Sequence, residues 1–125
     1  MIIGVGTDLV EIGRIEQIIR RRGDRFLKMV FTAREIAYCE QKRIPAIHYA
    51  ARFAAKESFF KSVGRGLGMG LSLREIEVTR NDRGKPEIHL YGGAKRIFDE
   101  KGGMVIHISL THTRAHASAV VVVEA

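Results

Sequence analysis

Residues 51–62 read ARFAAKESFFKS, and this stretch decides the architecture that the sequence predicts. Its alanines, phenylalanines and spaced charges are typical of an α-helix. At about 100° per residue, Arg52 and Lys56 share one arc of that helix. Glu57 and Lys61 share another, and apolar side chains separate the two arcs. Because a surface helix normally gathers its charges on one solvated face, the pattern predicts a central helix whose Glu57 and Lys61 lie between apolar surfaces.

The pair Glu57 and Lys61 has two interpretations. On an exposed helix, a Glu–Lys pair four residues apart adds only ~0.3–0.5 kcal/mol and has no functional meaning. Half-buried, the same pair is costly unless another group shares the charge. Asp8, which follows Gly4 and Gly6 at the end of a predicted strand, is the natural second carboxylate. Since Mg²⁺ binds through one or two carboxylates, waters and substrate phosphates, these residues indicate a magnesium–phosphate site.

The composition predicts one globular domain over residues 1–125 with a basic surface. Hydrophobic residues make up 46% and charged residues 28%, which argues against a disordered or fibrous chain. The net charge of +7 favours an anionic partner: nucleic acid, a membrane surface, a phosphorylated small molecule or an acidic protein. Cys39 is the only cysteine, so a reducing, cytoplasmic setting is expected. No signal peptide or membrane-spanning run of ~18 apolar residues is expected.

Helical and strand patterns alternate without a regular βαβ order, which predicts an α+β fold. Helices are expected from Glu11 to Gly23, around Phe26 and Leu27, from a Thr32–Glu35 capping box to about Lys42, from roughly Ala46 to Val63, and within residues 92–103. Strands are expected at residues 1–6, at 74–80 and 86–91 as a hairpin, at 105–111, and at 117–125. Pro45 is expected to end the third helical segment, and Gly64 to cap the fourth helix. The apolar strand 117–125 is expected to be covered on both faces by the core or by another subunit.

Three further motifs have a catalytic interpretation that the residues do not favour. GVGTDL at residues 4–9 has Leu9 where a dinucleotide fingerprint needs its third glycine, so a tight turn after a strand is favoured. GRGLGMG at residues 64–70 lacks the Gly-Lys-Ser/Thr ending of a phosphate loop and is interpreted as a pliable connector, although its backbone amides would suit a phosphate. His112 and His116 have the spacing of a zinc helix, but their surroundings are typical of strand and turn.

One face of the predicted strand at residues 105–111 is polar. His107, Ser109 and Thr111 alternate with apolar residues and therefore share that face. The residues alone fit an edge strand and a binding site equally well.

The run from Arg14 to Lys28 contains six basic and two acidic residues. It is either a solvated helix face or a docking surface for an acidic partner, where charge steers association. Nucleic acid is poorly supported as that partner, because the sequence lacks tryptophan and has no interleaved aromatic and basic residues for stacking on bases.

Four segments are similar to one known family. They are GVGTDLVEIGRIE at 4–16, RFAAKESFFKSVGRGLG at 52–68, GKPEIHLYG at 84–92 and HISLTHTRAHASAVVVVE at 107–124. Together they resemble the short, single-domain 4′-phosphopantetheinyl transferases, the holo-[acyl-carrier-protein] synthase family, essentially from end to end. The resemblance implies that family's fold, an antiparallel sheet packed with a long central helix and shorter helices.

The resemblance also implies a reaction of fatty acid biosynthesis. Coenzyme A binds, and a serine hydroxyl of apo acyl carrier protein attacks the phosphorus next to the pantetheine arm. Phosphopantetheine moves to the serine, and adenosine 3′,5′-bisphosphate leaves. By resemblance, Asp8 and Glu57 hold Mg²⁺, Lys61 neutralises the transferring phosphate, and Glu57, directly or through a metal-bound water, accepts the serine proton. The coenzyme site is expected to contain Arg52, Lys61, Gly64, Pro86, His107, Ser109 and Thr111.

The resemblance assigns the basic run to docking of the acidic carrier protein, through Arg14, Arg21 and Arg25 with Phe26 as an apolar contact. It implies a homotrimer whose active sites lie between subunits. The run IIRRRGDRF at residues 18–26 is slightly longer and richer in arginine than is expected for some relatives, so the resemblance places the docking arginines to within about one residue.

A non-enzymatic basic domain that binds RNA or an acidic protein is the main alternative. It requires neither Asp8 nor Glu57, because carboxylates would only repel an anionic partner. An inactive paralogue is a third possibility, against which the presence of Asp8, Glu57 and Lys61 argues.

Overall fold

The fold is built around one long helix that packs on a three-stranded antiparallel sheet. The computed structural model describes residues 1–64 and 71–125, so most of the predicted glycine connector lies outside the described residues. The helices are α1 (Ile12–Arg22), α2 (Asp24–Val30), α3 (Ala33–Glu40), α4 (Pro45–Ser62) and α5 (Gly92–Glu100), with a 3₁₀ turn at Leu73–Glu75. The strands are β1 (Ile2–Glu11), β2 (Ile76–Arg80), β3 (Pro86–Leu90), β4 (Val105–His112) and β5 (His116–Glu124). The predicted α+β class is confirmed.

The main sheet has the order β1-β5-β4, and β2 and β3 form the separate hairpin that the sequence predicted. Side chains alternate between the two faces of β5: Ala119 and Val121 are buried against α4, whereas Val120 is 42% exposed. The expectation that the core covers both faces of this strand is therefore wrong for the single chain. Cover by another subunit stays a prediction.

Gly4 and Gly6 do not form the predicted turn, because β1 continues through them and through Asp8 to Glu11. They are needed for close packing instead. A Cβ on Gly4 would lie 1.9 Å from the carbonyl oxygen of Ser62, and one on Gly6 would lie 1.9 Å from that of Ser58. The two glycines thus let β1 approach the backbone of α4 directly, and Asp8 is carried on that strand.

The start of α4 also differs from the prediction. The Thr32–Glu35 capping box is confirmed, with the Thr32 amide donating to Glu35 Oε1 at 2.9 Å. Pro45, however, opens α4 and does not end the preceding helix. A proline fits the first helical position because its fixed φ suits the helix and the missing N–H has no intrahelical partner there.

The arc of α4 that carries Arg52 and Lys56 is the most deeply buried, with exposures of 1% and 0%. Lys56 Nζ donates to Glu35 Oε1 at 2.7 Å, to the Leu73 carbonyl at 3.0 Å and to that of Ile76. Burial lowers the pKa of Lys56, and the Glu35 carboxylate opposes that shift. This buried ion pair ties α4 to α3 and to the start of β2.

Within the described residues, no helix is both long and apolar enough to cross a membrane.

Candidate active site

Asp8 and Lys61 meet where β1 crosses the C-terminal turn of α4. Asp8 pairs with Ala119 in the sheet register and lies on the face that α4 covers. Lys61 Nζ donates to Asp8 Oδ1 and to the Thr7 carbonyl, both at 3.0 Å. The Asp8 side chain is 18% exposed and that of Lys61 54% exposed. The lysine therefore lies at the mouth of the site and the aspartate within it.

Glu57 lies one helical turn before Lys61 and is half-buried beside Asp8. Burial raises the pKa of Glu57, the Asp8 carboxylate raises it further, and the Lys61 ammonium opposes both effects. Two neighbouring carboxylates attract a cation, because it offsets the repulsion between their charges. The structure thus brings together the acids and the lysine that the sequence singled out.

Asp8 and Glu57 line a cleft of about 300 Å³, which we call the acid cleft; Arg14, Ile15 and Phe53 also line it. No cluster of three or more His, Cys, Asp or Glu side chains suitable for a metal occurs in the described parts of the chain. The donor set is therefore two carboxylates, which fits Mg²⁺ if waters and phosphate oxygens complete its coordination.

Gly64 follows the last residue of α4 by two positions, after Val63, with φ +71° and its amide donating to the Lys61 carbonyl at 3.1 Å. It ends the helix as predicted and lies close in sequence to the acid cleft. The left-handed φ explains why glycine stands there.

Arg52 does not join the acid cleft within one chain. Its guanidinium lies over the ring of Tyr38, 4.1 Å from the centroid, and its Nε and Nη1 have no hydrogen-bond partner in the described structure. Burial opposes ionisation of Tyr38, but the positive charges of Arg80, Arg52 and Lys42 lower its pKa overall. The neighbourhood of Arg52 is thus a separate, strongly positive region.

Pro86 and His107 line a cavity of about 430 Å³ between β3, β4 and α5, the β3–β4 cavity. Lys85 and Lys95 also line it and give it positive charge. His107 lies 2.8 Å from Glu124, from its Nε2 to the carboxylate Oε1. Sequence reasoning missed Glu124. It pairs with Val105 of β4, which lies two residues before His107 and therefore on the same face of the sheet. Cross-strand neighbours at this diagonal spacing are within reach of long side chains.

His107, Ser109 and Thr111 lie on the open face of the sheet. In the register, Ser109 pairs with the exposed Val120, whereas Asp8 pairs with the buried Ala119. The predicted coenzyme residues of β4 and the acids of the acid cleft therefore project from opposite faces. One chain does not bring them to one site.

The predicted docking residues divide into three places. Arg14 lines the acid cleft, and Arg21 and Arg25 lie together on the surface of α1 and α2. Phe26, however, is 8% exposed and packs edge-on against Phe31 at 6.2 Å between ring centroids. It belongs to the core because α2 turns that face inward, so its expected contact with a partner is wrong for this conformation. Met29, which is 56% exposed, is the apolar side chain beside the arginines.

Comparison with known proteins decides the family. A family model described as the 4′-phosphopantetheinyl transferase superfamily matches residues 4–118. This chain belongs to that superfamily. A holo-[acyl-carrier-protein] synthase of Syntrophus aciditrophicus is 51% identical over 124 residues, which is 99% of this chain and 97% of that protein.

Solved structures of the family share the fold. A holo-[acyl-carrier-protein] synthase from Neisseria meningitidis has a TM-score of 0.90 and 35% identity, and the match covers 100% of both chains. The Helicobacter pylori enzyme, solved in complex with coenzyme A, has a TM-score of 0.85 and 32% identity, covering 96% of this chain and 99% of that one. The resemblance on which the fold and family were predicted is confirmed.

Proposed function

We propose that this protein transfers 4′-phosphopantetheine from coenzyme A to a serine of apo acyl carrier protein, leaving adenosine 3′,5′-bisphosphate. The observation that carries the proposal is the meeting of Lys61 with Asp8, which lines the acid cleft together with Glu57. Relatives of the chain are named holo-[acyl-carrier-protein] synthases, and one related structure contains coenzyme A. We place the reaction in fatty acid biosynthesis.

The chain's own residues account for most of what phosphoryl transfer requires, which is positioning and charge stabilisation. Asp8 and Glu57 hold Mg²⁺, which stabilises negative charge on the two phosphates of the coenzyme when bound. The Lys61 ammonium, at the mouth of the cleft, neutralises the equatorial oxygens of the transferring phosphate. Glu57, directly or through water, accepts the proton of the attacking serine.

Gly64 and residues around the β3–β4 cavity are proposed to bind the rest of the coenzyme. His107 is proposed to hydrogen-bond its 3′-phosphate, with Ser109 and Thr111 on the same strand face and Pro86 in the same cavity. Arg52 is 1% exposed and lies over the Tyr38 ring, so it is proposed to act through the positive charge of its separate region and not by direct contact with the coenzyme.

A site between subunits resolves the opposite placement of these groups. If the open face of one chain's sheet meets the acid cleft of the next, His107 and Glu57 of different chains line one site. The open face is apolar enough for an interface, since Val5 and Leu9 are 60% and 67% exposed and Val120 is 42% exposed. A head-to-tail contact closes into a ring when its rotation divides a full turn, and we propose such a ring of three chains, a trimer.

The carrier protein is proposed to dock on α1 and α2. Arg21, Arg22 and Arg25 line one surface there with Met29, and Arg14 leads from them into the acid cleft. An acidic partner is attracted and oriented by these charges.

We propose that the protein works in the cytoplasm, where the buried Cys39 thiol stays reduced.

Intact-mass spectrometry tests the reaction directly. Apo acyl carrier protein, coenzyme A, Mg²⁺ and this protein are incubated with and without a chelator. The expected result is a gain of one phosphopantetheine that the chelator prevents. No gain from the folded protein with several carrier proteins would overturn the proposal, and RNA binding would then be measured for the alternative of a basic binding domain.

Mixing two variants tests the site between subunits. Glu57→Gln and His107→Ala each lower transfer, measured with coenzyme A below its KM. After unfolding and refolding together in equal amounts, random trimers regain about a quarter of the wild-type activity, because each mixed ring holds one intact site. Each variant refolded alone is the control. No recovery would show that both residues serve one chain.

A further inference from the structure

The hydrogen bond between His107 and Glu124 has a defined direction. Glu124 Oε1 lies 2.8 Å from His107 Nε2. An ionised carboxylate only accepts, so Nε2 must carry the proton. The pKa of Glu124 is lowered by this hydrogen bond and by the charge of His107, which keeps the carboxylate ionised. The second ring nitrogen, Nδ1, is therefore the one left for a ligand.

We propose that Glu124 is a positioning residue that holds the His107 ring so that Nδ1 faces the 3′-phosphate of coenzyme A. This inference rests on the proposed function. When the ring is protonated, Nε2–H is bound to Glu124 and Nδ1–H is the donor to the phosphate dianion. A charge-assisted hydrogen bond on each side of the ring fixes its orientation.

Backbone hydrogen bonds to both neighbouring strands hold Glu124 in place. In the sheet it pairs with Ile2 of β1 on one side and with Val105 of β4 on the other. Its carbonyl accepts from the Met104 amide at 2.8 Å. The following residue, Ala125, donates its amide to the Met1 carbonyl at 2.8 Å and accepts from the N-terminal ammonium at 3.0 Å. The end of β5 is thus held by both neighbouring strands and does not fray freely.

The surroundings of His107 also fit a phosphate. Lys85 and Lys95 line the β3–β4 cavity together with His107 and add positive charge to it. Glu87 and His89 are the other ionisable residues of that cavity. The carboxylate of Glu124 on Nε2 and the lysines of the cavity together suit a histidine that binds an anion.

Kinetics with two coenzymes test the proposal. Glu124→Ala is expected to raise KM for coenzyme A about three- to fivefold, the effect of an exposed charged pair, with kcat nearly unchanged. KM for dephospho-coenzyme A, which lacks the 3′-phosphate, should not change. Glu124→Gln keeps an accepting oxygen and should recover part of the loss. Glu100→Ala, at an exposed position of α5, is the matched control.

Nitrogen NMR of the His107 ring gives a second readout that needs no activity. At alkaline pH, where imidazole is neutral, the wild-type ring should carry its proton on Nε2, and Glu124→Ala should populate both tautomers. An unchanged KM for coenzyme A, or an equal rise for both coenzymes, would overturn the inference. Failure of the wild-type protein to transfer from coenzyme A would instead contradict the proposed function.

Discussion

Replacing Glu57 with glutamine is expected to lower the rate of phosphopantetheine transfer by about 10²–10³-fold, as loss of a preorganised electrostatic group does. Glutamine has nearly the same shape but brings no negative charge to the acid cleft. The cation-attracting pair is then reduced to Asp8 alone, and the proton acceptor for the serine is lost. Single-turnover intact-mass kinetics at saturating coenzyme A and Mg²⁺ measure the effect.

The fold is expected to survive this substitution. Burial and the Asp8 carboxylate both disfavour the ionised form of Glu57, so removing its charge relieves a repulsion. The melting temperature of Glu57→Gln should equal or slightly exceed that of the wild type. Glu100→Gln, on the exposed face of α5, controls for a general change of charge. A folded Glu57→Gln variant with the wild-type rate would show that the acid cleft is not the reaction site.

Replacing Gly6 with alanine is expected to destabilise the protein by about 4 kcal/mol or more, which is exceptional for one methyl group. The added Cβ would lie 1.9 Å from the Ser58 carbonyl oxygen and 2.9 Å from the Ser62 nitrogen. Both are backbone atoms of α4, so no side chain can rotate away. β1 and α4 must separate, and the carboxylates of Asp8 and Glu57 separate with them.

Urea denaturation followed by circular dichroism measures this loss. Gly13→Ala in α1 is the matched control, because nothing lies within 4 Å of its added Cβ. There alanine should stabilise the helix by roughly 0.5–1 kcal/mol. If Gly6→Ala unfolds at the same urea concentration as the wild type, the close approach of β1 and α4 is not maintained in solution.

Local patterns predicted most of the secondary structure because they depend on neighbouring residues. The capping box at Thr32 and Glu35 and the hairpin around residues 81–85 are confirmed. The predictions failed where the same residue type serves two purposes. Gly6 suits a turn as well as a close contact, and Pro45 suits the end of one helix as well as the start of the next.

The candidate site was predicted in part. Asp8, Glu57 and Lys61 meet as expected. Glu57 and Lys61 lie one turn apart on α4, and Asp8 reaches them because β1 packs against that turn. Phe26 was placed wrongly because the periodicity of a helix as short as α2 does not show which side faces the core.

The sequence by itself determined the family, the helix α4 with its two arcs of charge, and the cluster of Asp8, Glu57 and Lys61. Only the tertiary structure decided which arc is buried, with Lys56 against Glu35 and Arg52 against Tyr38. It also placed His107 on the face opposite Asp8 and next to Glu124. The physical reason is that helical and strand periods determine which side chains share a face, whereas the burial of that face depends on distant segments that pack against it.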